Sequence, residues 1–166
     1  YAIADYTFWP SFSQMILFCL MLSGGCSAST CGSIKVIRIM IVFKLIVRGM
    51  YKRLHPNAVV SVKIGDRIIS AETVSKVTSF TFMYFTVFIF SSLLISLEGY
   101  DLLTTFSATV SSLSNTGLGM GLLGPGGNYE IFSLPTRLYL AVLMIAGRLE
   151  LFTIIMLLTP SFWKAR

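Results

Sequence analysis

Between Lys76 and Glu98 the chain runs for 21 residues without a charge, and Phe, Val, Ile and Leu dominate that run. About 20 apolar residues in helical form match a hydrocarbon layer of ~30 Å, so the run predicts a spanning helix over residues 72–98. The next segment is too short for a second span. Glu98-Gly99-Tyr100-Asp101 leads into Leu102–Ser112, where Asp101 has the chemistry of an N-cap. A helix over 101–112 covers only ~16 Å, half of a bilayer. Ser114-Asn115-Thr116-Gly117-Leu118-Gly119 and the glycine-rich Met120–Asn128 come next. Ser133 then caps a helix with Pro135 in its first turn, predicted over 133–159.

Composition agrees with a membrane setting. Apolar residues make up 55% of the chain and charged residues 12%, about half the charge of an ordinary soluble domain. The mean hydropathy is +0.80. The net charge of +6 does not point to nucleic acid, because nine of the thirteen basic residues lie between Lys35 and Lys76 among apolar runs. That is the distribution of the positive-inside rule rather than a basic stripe on a soluble fold. The sequence begins at Tyr1 and shows no signal-peptide pattern; it is expected to be a piece of a longer polypeptide. Cys19, Cys26 and Cys31 lack His or carboxylate neighbours of the kind a zinc site needs, and are expected to be small, buried, reduced residues.

Toward the N-terminus, Ser11-Phe12-Ser13-Gln14 has the form of a capping box ahead of an apolar run. The helix predicted there meets Ser23-Gly24-Gly25-Cys26-Ser27-Ala28-Ser29-Thr30-Cys31-Gly32-Ser33, poor helix material. The interruption falls ~18–20 Å below the helix start, inside a hydrocarbon core, where irregular backbone survives only when covered by protein or lining a watery cavity. A loop on the water side is the competing reading, but Met15–Leu22 has eight residues and is too short to span alone. A broken helix over about 11–54, with an intramembrane loop at 23–33, is the expectation. Lys44, Arg48 and Lys52 form one basic edge of its second half. His55-Pro56-Asn57 stops it, with His55 read as a helix-end residue rather than a catalyst. Residues 58–70 are expected to form a small cytoplasmic β-hairpin around Gly65-Asp66.

The charges give a consistent topology. With the Lys35–Lys76 block inside, the 72–98 helix exits, and Glu98, Asp101 and Glu130 lie outside. The last helix returns Lys164 and Arg166 to the cytoplasm. Arg137 is the exception, near enough to the outer helix end to snorkel.

Helix, half-helix, glycine-bearing return and helix make up the plan of a pore loop. A dehydrated cation needs a ring of oxygens, which extended backbone supplies. Glycine permits the angles, and the short helix turns its negative pole to the cavity. The filter segment is therefore expected over 113–119, with Ser114, Asn115, Thr116 and Gly117 as the candidate selectivity filter and the ion held mainly by main-chain oxygens of Asn115, Thr116 and Gly117. Arg148 lies about 22 Å into the last helix, near the depth of the break. An ionisable group that deep faces a cavity or a partner. It is expected to face the permeation path and bond Ser23–Ser33; a structural pair with Glu150 is the alternative.

Gly24-Gly25-Cys26 through Gly32-Ser33-Ile34-Lys35-Val36-Ile37-Arg38 resembles the broken helix of the Trk/Ktr potassium-uptake family, TrkH type. So do His55-Pro56-Asn57-Ala58-Val59, Leu113-Ser114-Asn115-Thr116-Gly117 and Gly147-Arg148-Leu149-Glu150. The likeness covers essentially the whole chain. It implies an all-α membrane protein of membrane–pore-loop–membrane units. Residues 1–70 would be the end of a third unit and 71–166 the fourth. K+ would be the transported ion, with no covalent cofactor. The resemblance further implies a multi-pass position in the bacterial inner membrane among lipid, a homodimer, and a cytosolic nucleotide-binding regulatory subunit (TrkA type). It makes the 23–33 loop a gate, with Gly24, Gly25, Ser29, Thr30 and Gly32 as its residues and Arg148 beside it. Ala28, Cys31 and Ser33 stand where the family commonly has glycine, and their Cβ atoms restrict the backbone.

Other functions fit less well. An intramembrane enzyme needs a base near its nucleophile, and no His or Asp lies at the depth of Ser29 or Cys31. An ion-coupled secondary transporter with discontinuous helices and a Na+-permeable member of the same family are the alternatives.

Overall fold

The computed structural model describes residues 5–25, 32–55, 61–64 and 67–149. Five α-helices carry it: α1 (Ser11–Ser23), α2 (Val36–Leu54), α3 (Ala71–Ser96), α4 (Leu102–Ser114) and α5 (Leu134–Arg148). Strands β1 (Lys63–Ile64) and β2 (Arg67–Ile68) pair antiparallel, Lys63 opposite Ile68 and Ile64 opposite Arg67. Of the expected 58–70 hairpin, residues 58–60 and the turn at 65–66 lie outside the described residues; Ile69 N–H extends the described pairing with a bond to the Val62 carbonyl at 2.9 Å.

The fold is built around α4. Ten of its thirteen residues are buried, seven of them Ser or Thr. α1, α3 and α5 pack on it. Large apolar side chains face outward instead, among them Phe12, Phe82, Phe90, Leu93 and Val142. A polar centre inside an apolar rim is the reverse of a soluble domain's ordering. The main apolar core, with Tyr84, Ile95, Leu113, Phe132 and Leu140, lies between α3, α4 and α5. Cys19 belongs to the outward face of α1 and is exposed, which corrects the expectation of burial for this cysteine. Cys26 and Cys31 lie outside the described residues.

α3 is long and apolar enough to cross a membrane by length and composition. Ser70 caps it by accepting from Thr73 N–H at 3.2 Å. The hydroxyls of Thr78, Thr81, Thr86 and Ser92 fold back onto carbonyls four residues earlier, which satisfies them without solvent. The guanidinium of Arg38 lies 3.9 Å from the centroid of the Phe80 ring and ties α2 to α3. His55 ends α2 as read, its ring stacked on Tyr51 at 4.8 Å.

Three helices start where expected, but their caps are bonded differently. Pro10, not Ser11, is the N-cap of α1; Gln14 Nε2 donates instead to the carbonyls of Thr7 (2.9 Å) and Trp9 (3.1 Å), so no capping box forms. Asp101 holds the N-cap position of α4 without a side-chain bond. Ser133 holds that of α5, and its hydroxyl donates to Glu98 Oε1, as does Thr136 Oγ1. The Glu98 carboxylate thus caps α5 from the end of α3. The predicted 133–159 helix is described to Arg148; residues 150–166 lie outside the described residues.

Candidate ion-binding site

α4 runs to Ser114, two residues beyond the predicted 112, and so takes in Leu113 and Ser114. Ser114 Oγ lies 3.3 Å from Tyr84 OH. The helix ends on Asn115 in the left-handed region, φ +55°. Thr116 N–H bonds the Ser111 carbonyl at 3.2 Å and Asn115 N–H the Ser112 carbonyl at 3.3 Å, a Schellman closure with Asn in the place glycine usually takes. Asn tolerates that angle. Its side chain is also committed: Nδ2 donates to the Met144 carbonyl of α5 at 2.9 Å.

Past this turn the backbone is irregular, with Gly117 at φ +74°, and among the described residues the carbonyl oxygens of 115–118 accept no hydrogen bond. Thr116 Oγ1 is buried and likewise without a partner among the described residues. The next segment is the opposite. Gly119 O accepts from Tyr6 OH at 2.6 Å. Ser107 Oγ meets both Met120 O (3.1 Å) and Met120 N–H (3.0 Å). Leu122 N–H reaches Thr104 Oγ1 at 3.3 Å. The buried hydroxyls of α4 thus hold the return strand, as buried polar groups must find partners. Four carbonyls without a donor among the described residues thus precede a clamped stretch.

The interruption meets this site from below. α1 ends on Gly24 (φ +61°), and a Cβ there would overlap the Ser33 side chain. Ile34 N–H bonds Leu22 O and Val36 N–H bonds Gly25 O, each at 3.4 Å. The chain therefore leaves at Gly25 and returns at Gly32 beside the end of α1. A Cβ on Gly32 would come within 2.6 Å of the Leu113 carbonyl oxygen. One on Gly147 would overlap the same oxygen. Gly32 is thereby brought to the C-terminal end of α4, while Gly24 packs on Ser33 and the Gly25 carbonyl accepts from Val36 N–H; Ser29 and Thr30 lie outside the described residues. Arg148 is exposed at the last turn of α5. No hydrogen bond joins it to Ser23, Gly24, Gly25, Gly32 or Ser33, so the expected bond is not among the described contacts.

Tyr6 and Ser107 escaped the sequence reading. Nothing local marks Tyr6, whose partner is 113 residues away; the alternation of hydroxyls along α4 was the available signal for Ser107.

A family model described as TrkH, cation transport protein, matches residues 1–164. The chain is 38% identical over 156 residues to the Trk system potassium uptake protein TrkH of Escherichia coli (strain K12), covering 94% of the chain and 32% of that protein. To the Trk system potassium uptake protein TrkG of the same strain it is 33% identical over 164 residues, covering 99% and 33%. The crystal structure of the potassium transporter TrkH from Vibrio parahaemolyticus matches with a TM-score of 0.86 at 34% identity, covering 96% of this chain and 34% of that one. The chain spans about a third of the length of these relatives. With the match running from end to end, this chain belongs to the TrkH family of cation transport proteins.

Proposed function

We propose that this chain forms part of a K+ uptake pathway across the bacterial inner membrane. Residues 71–166 are one membrane–pore–membrane unit, and 1–70 are the end of the unit before it. α4 is the pore helix. The carbonyls of Asn115, Thr116 and Gly117, adjoining Ser114, are this unit's contribution to a filter shared by four units, and the Leu118 carbonyl continues their run. The relatives are named as potassium uptake proteins, which favours K+ as the cargo. The observation that carries the proposal is the run of unpartnered carbonyls at 115–118 beyond a buried, half-length helix. Its negative helix pole adds to their pull on a cation.

The loop of residues 23–33 is the gate. Its ends meet the C-terminal end of α4 through Gly32, and Gly24, Gly25, Ser29 and Thr30 complete it. Arg148, beside Gly147 and exposed in this chain, projects into the path and sets a positive barrier at the gate. A homodimer and a cytosolic nucleotide-binding subunit complete the assembly.

The test is K+ uptake by a bacterium lacking its own uptake systems, expressing the complete polypeptide that carries this chain. Growth on low K+ that is lost in Gly117→Ala supports the reading, since alanine opposes the positive φ there. Growth that survives the substitution contradicts it. Flux that stops when a Na+ or H+ gradient is collapsed would instead favour the ion-coupled transporter.

A further inference from the structure

The run of free carbonyls stops abruptly at Gly119, and the group that stops it comes from the preceding unit. Tyr6 OH donates to Gly119 O at 2.6 Å across 113 residues of sequence. Two features hold the phenol there. Its ring packs against Met21, Val110 and Met120. Its backbone sits in a one-turn 3-10 helix, Tyr6–Phe8, capped by Asp5, which accepts from Thr7 N–H at 3.0 Å. Gln14 Nε2 braces that turn onto α1 through the Thr7 and Trp9 carbonyls. A cavity of about 180 Å³, lined by Tyr6, Thr7, Gln14, Leu103, Met120 and Gly121, opens alongside. Packing there is incomplete, and the hydroxyl's own bond fixes its direction.

A carbonyl that accepts a protein hydrogen bond is directed toward its donor and competes poorly for an ion. Ser107 holds the next residue, Met120, from the α4 side. The strand is thereby pinned from both flanks just where its free oxygens end.

Resting on the filter reading above, we infer that Tyr6 is a positioning residue for ion selectivity: it turns the Gly119 carbonyl away from the ion path. Residues 115–118 remain as the contacting oxygens, and the shape of this unit's filter depends on its neighbour. The chemistry is that of one neutral hydrogen bond, whose removal shifts an equilibrium by roughly three- to tenfold.

The experiment compares unsubstituted and Tyr6→Phe forms of the complete polypeptide in proteoliposomes, measuring K+ and Na+ flux and the thermal midpoint. The phenylalanine keeps the ring packing. The K+/Na+ flux ratio should fall roughly three- to tenfold while the midpoint drops by no more than the few degrees that one hydrogen bond accounts for, a change in selectivity that a purely structural role would not produce. Gln14→Ala, which loosens the turn presenting Tyr6, should move the ratio the same way; it is the readout if Tyr6→Phe fails to fold. Unchanged ratios with normal K+ flux overturn the role of Tyr6 and leave the filter assignment standing. Absence of K+ flux in the unsubstituted protein overturns the filter assignment itself, and this inference with it.

Discussion

Gly32 and Gly147 meet backbone to backbone: a Cβ on Gly32 would lie 2.8 Å from both the carbonyl carbon and the carbonyl oxygen of Gly147. The Leu113 carbonyl sits between them at the end of α4. Three elements distant in sequence thus converge on one oxygen, and no side chain fits among them. A shift of any one is felt directly by the other two, because packed backbone is close to incompressible.

Gly147→Ala is therefore expected to destabilise the protein by about 1–3 kcal/mol through overpacking. Gly49→Ala on α2, where a Cβ meets nothing within 4 Å, should instead stabilise by up to ~1 kcal/mol through helix propensity. Thermal unfolding of the two variants in detergent checks the contrast. Equal shifts would contradict the packing at Gly147.

Asn115 contributes an angle and a bond. Asn115→Gly keeps the left-handed turn but loses the bond to the Met144 carbonyl. Asn115→Ala loses the bond and adds ~1–2 kcal/mol for the left-handed angle. The alanine variant should be the less stable in unfolding measurements, and the reverse order would exclude the Schellman closure.

The outer end of the unit should be acid-sensitive. Burial of Glu98 pushes its pKa up, but hydrogen bonds from Ser133 and Thr136 outweigh this, and the net shift is downward from 4.5. With the folded value below the unfolded one, the stabilisation is complete above about pH 4.5 and is lost as pH falls through the lower folded value. Glu98→Gln should flatten this acid limb of the melting profile. The effect is below ~1 kcal/mol because the site is solvent-screened.

If the proposed gate is right, Arg148→Ala should raise ion flux through the complete protein by removing a positive group from the path. Single-channel or proteoliposome flux measures it, and unchanged flux and gating would remove Arg148 from the path.

The lengths of the apolar runs made the main elements legible. α3 has 26 residues and α4 has 13, a difference the apolar runs already carried, and the composition of Ser23–Ser33 matches the end of α1 at Ser23 and the start of α2 at Val36, with residues 26–31 outside the described residues. Local chemistry was less dependable. Ser11 and Gln14 have capping-box spacing, yet Pro10 already fixes the helix start and leaves Gln14 to brace the turn before it. Ser133 looked like a self-sufficient cap, but a carboxylate 35 residues earlier takes its hydroxyl. Tyr6 gave no local sign at all. The misses at Ser133 and Tyr6 are long-range polar contacts, where the choice of partner is decided by the fold. The end of α4 was also missed, by two residues, although Asn at a helix end is a signature of the left-handed closure found at Asn115.

The central claim is that the carbonyl oxygens of residues 115–118 touch the ion. Crystals of the complete protein grown in Rb+, an electron-rich stand-in for K+, test it by anomalous diffraction. The account predicts an anomalous peak on the pore axis within coordination distance of these oxygens. A filled pore with its peaks elsewhere, and protein donors on those four carbonyls, would contradict it.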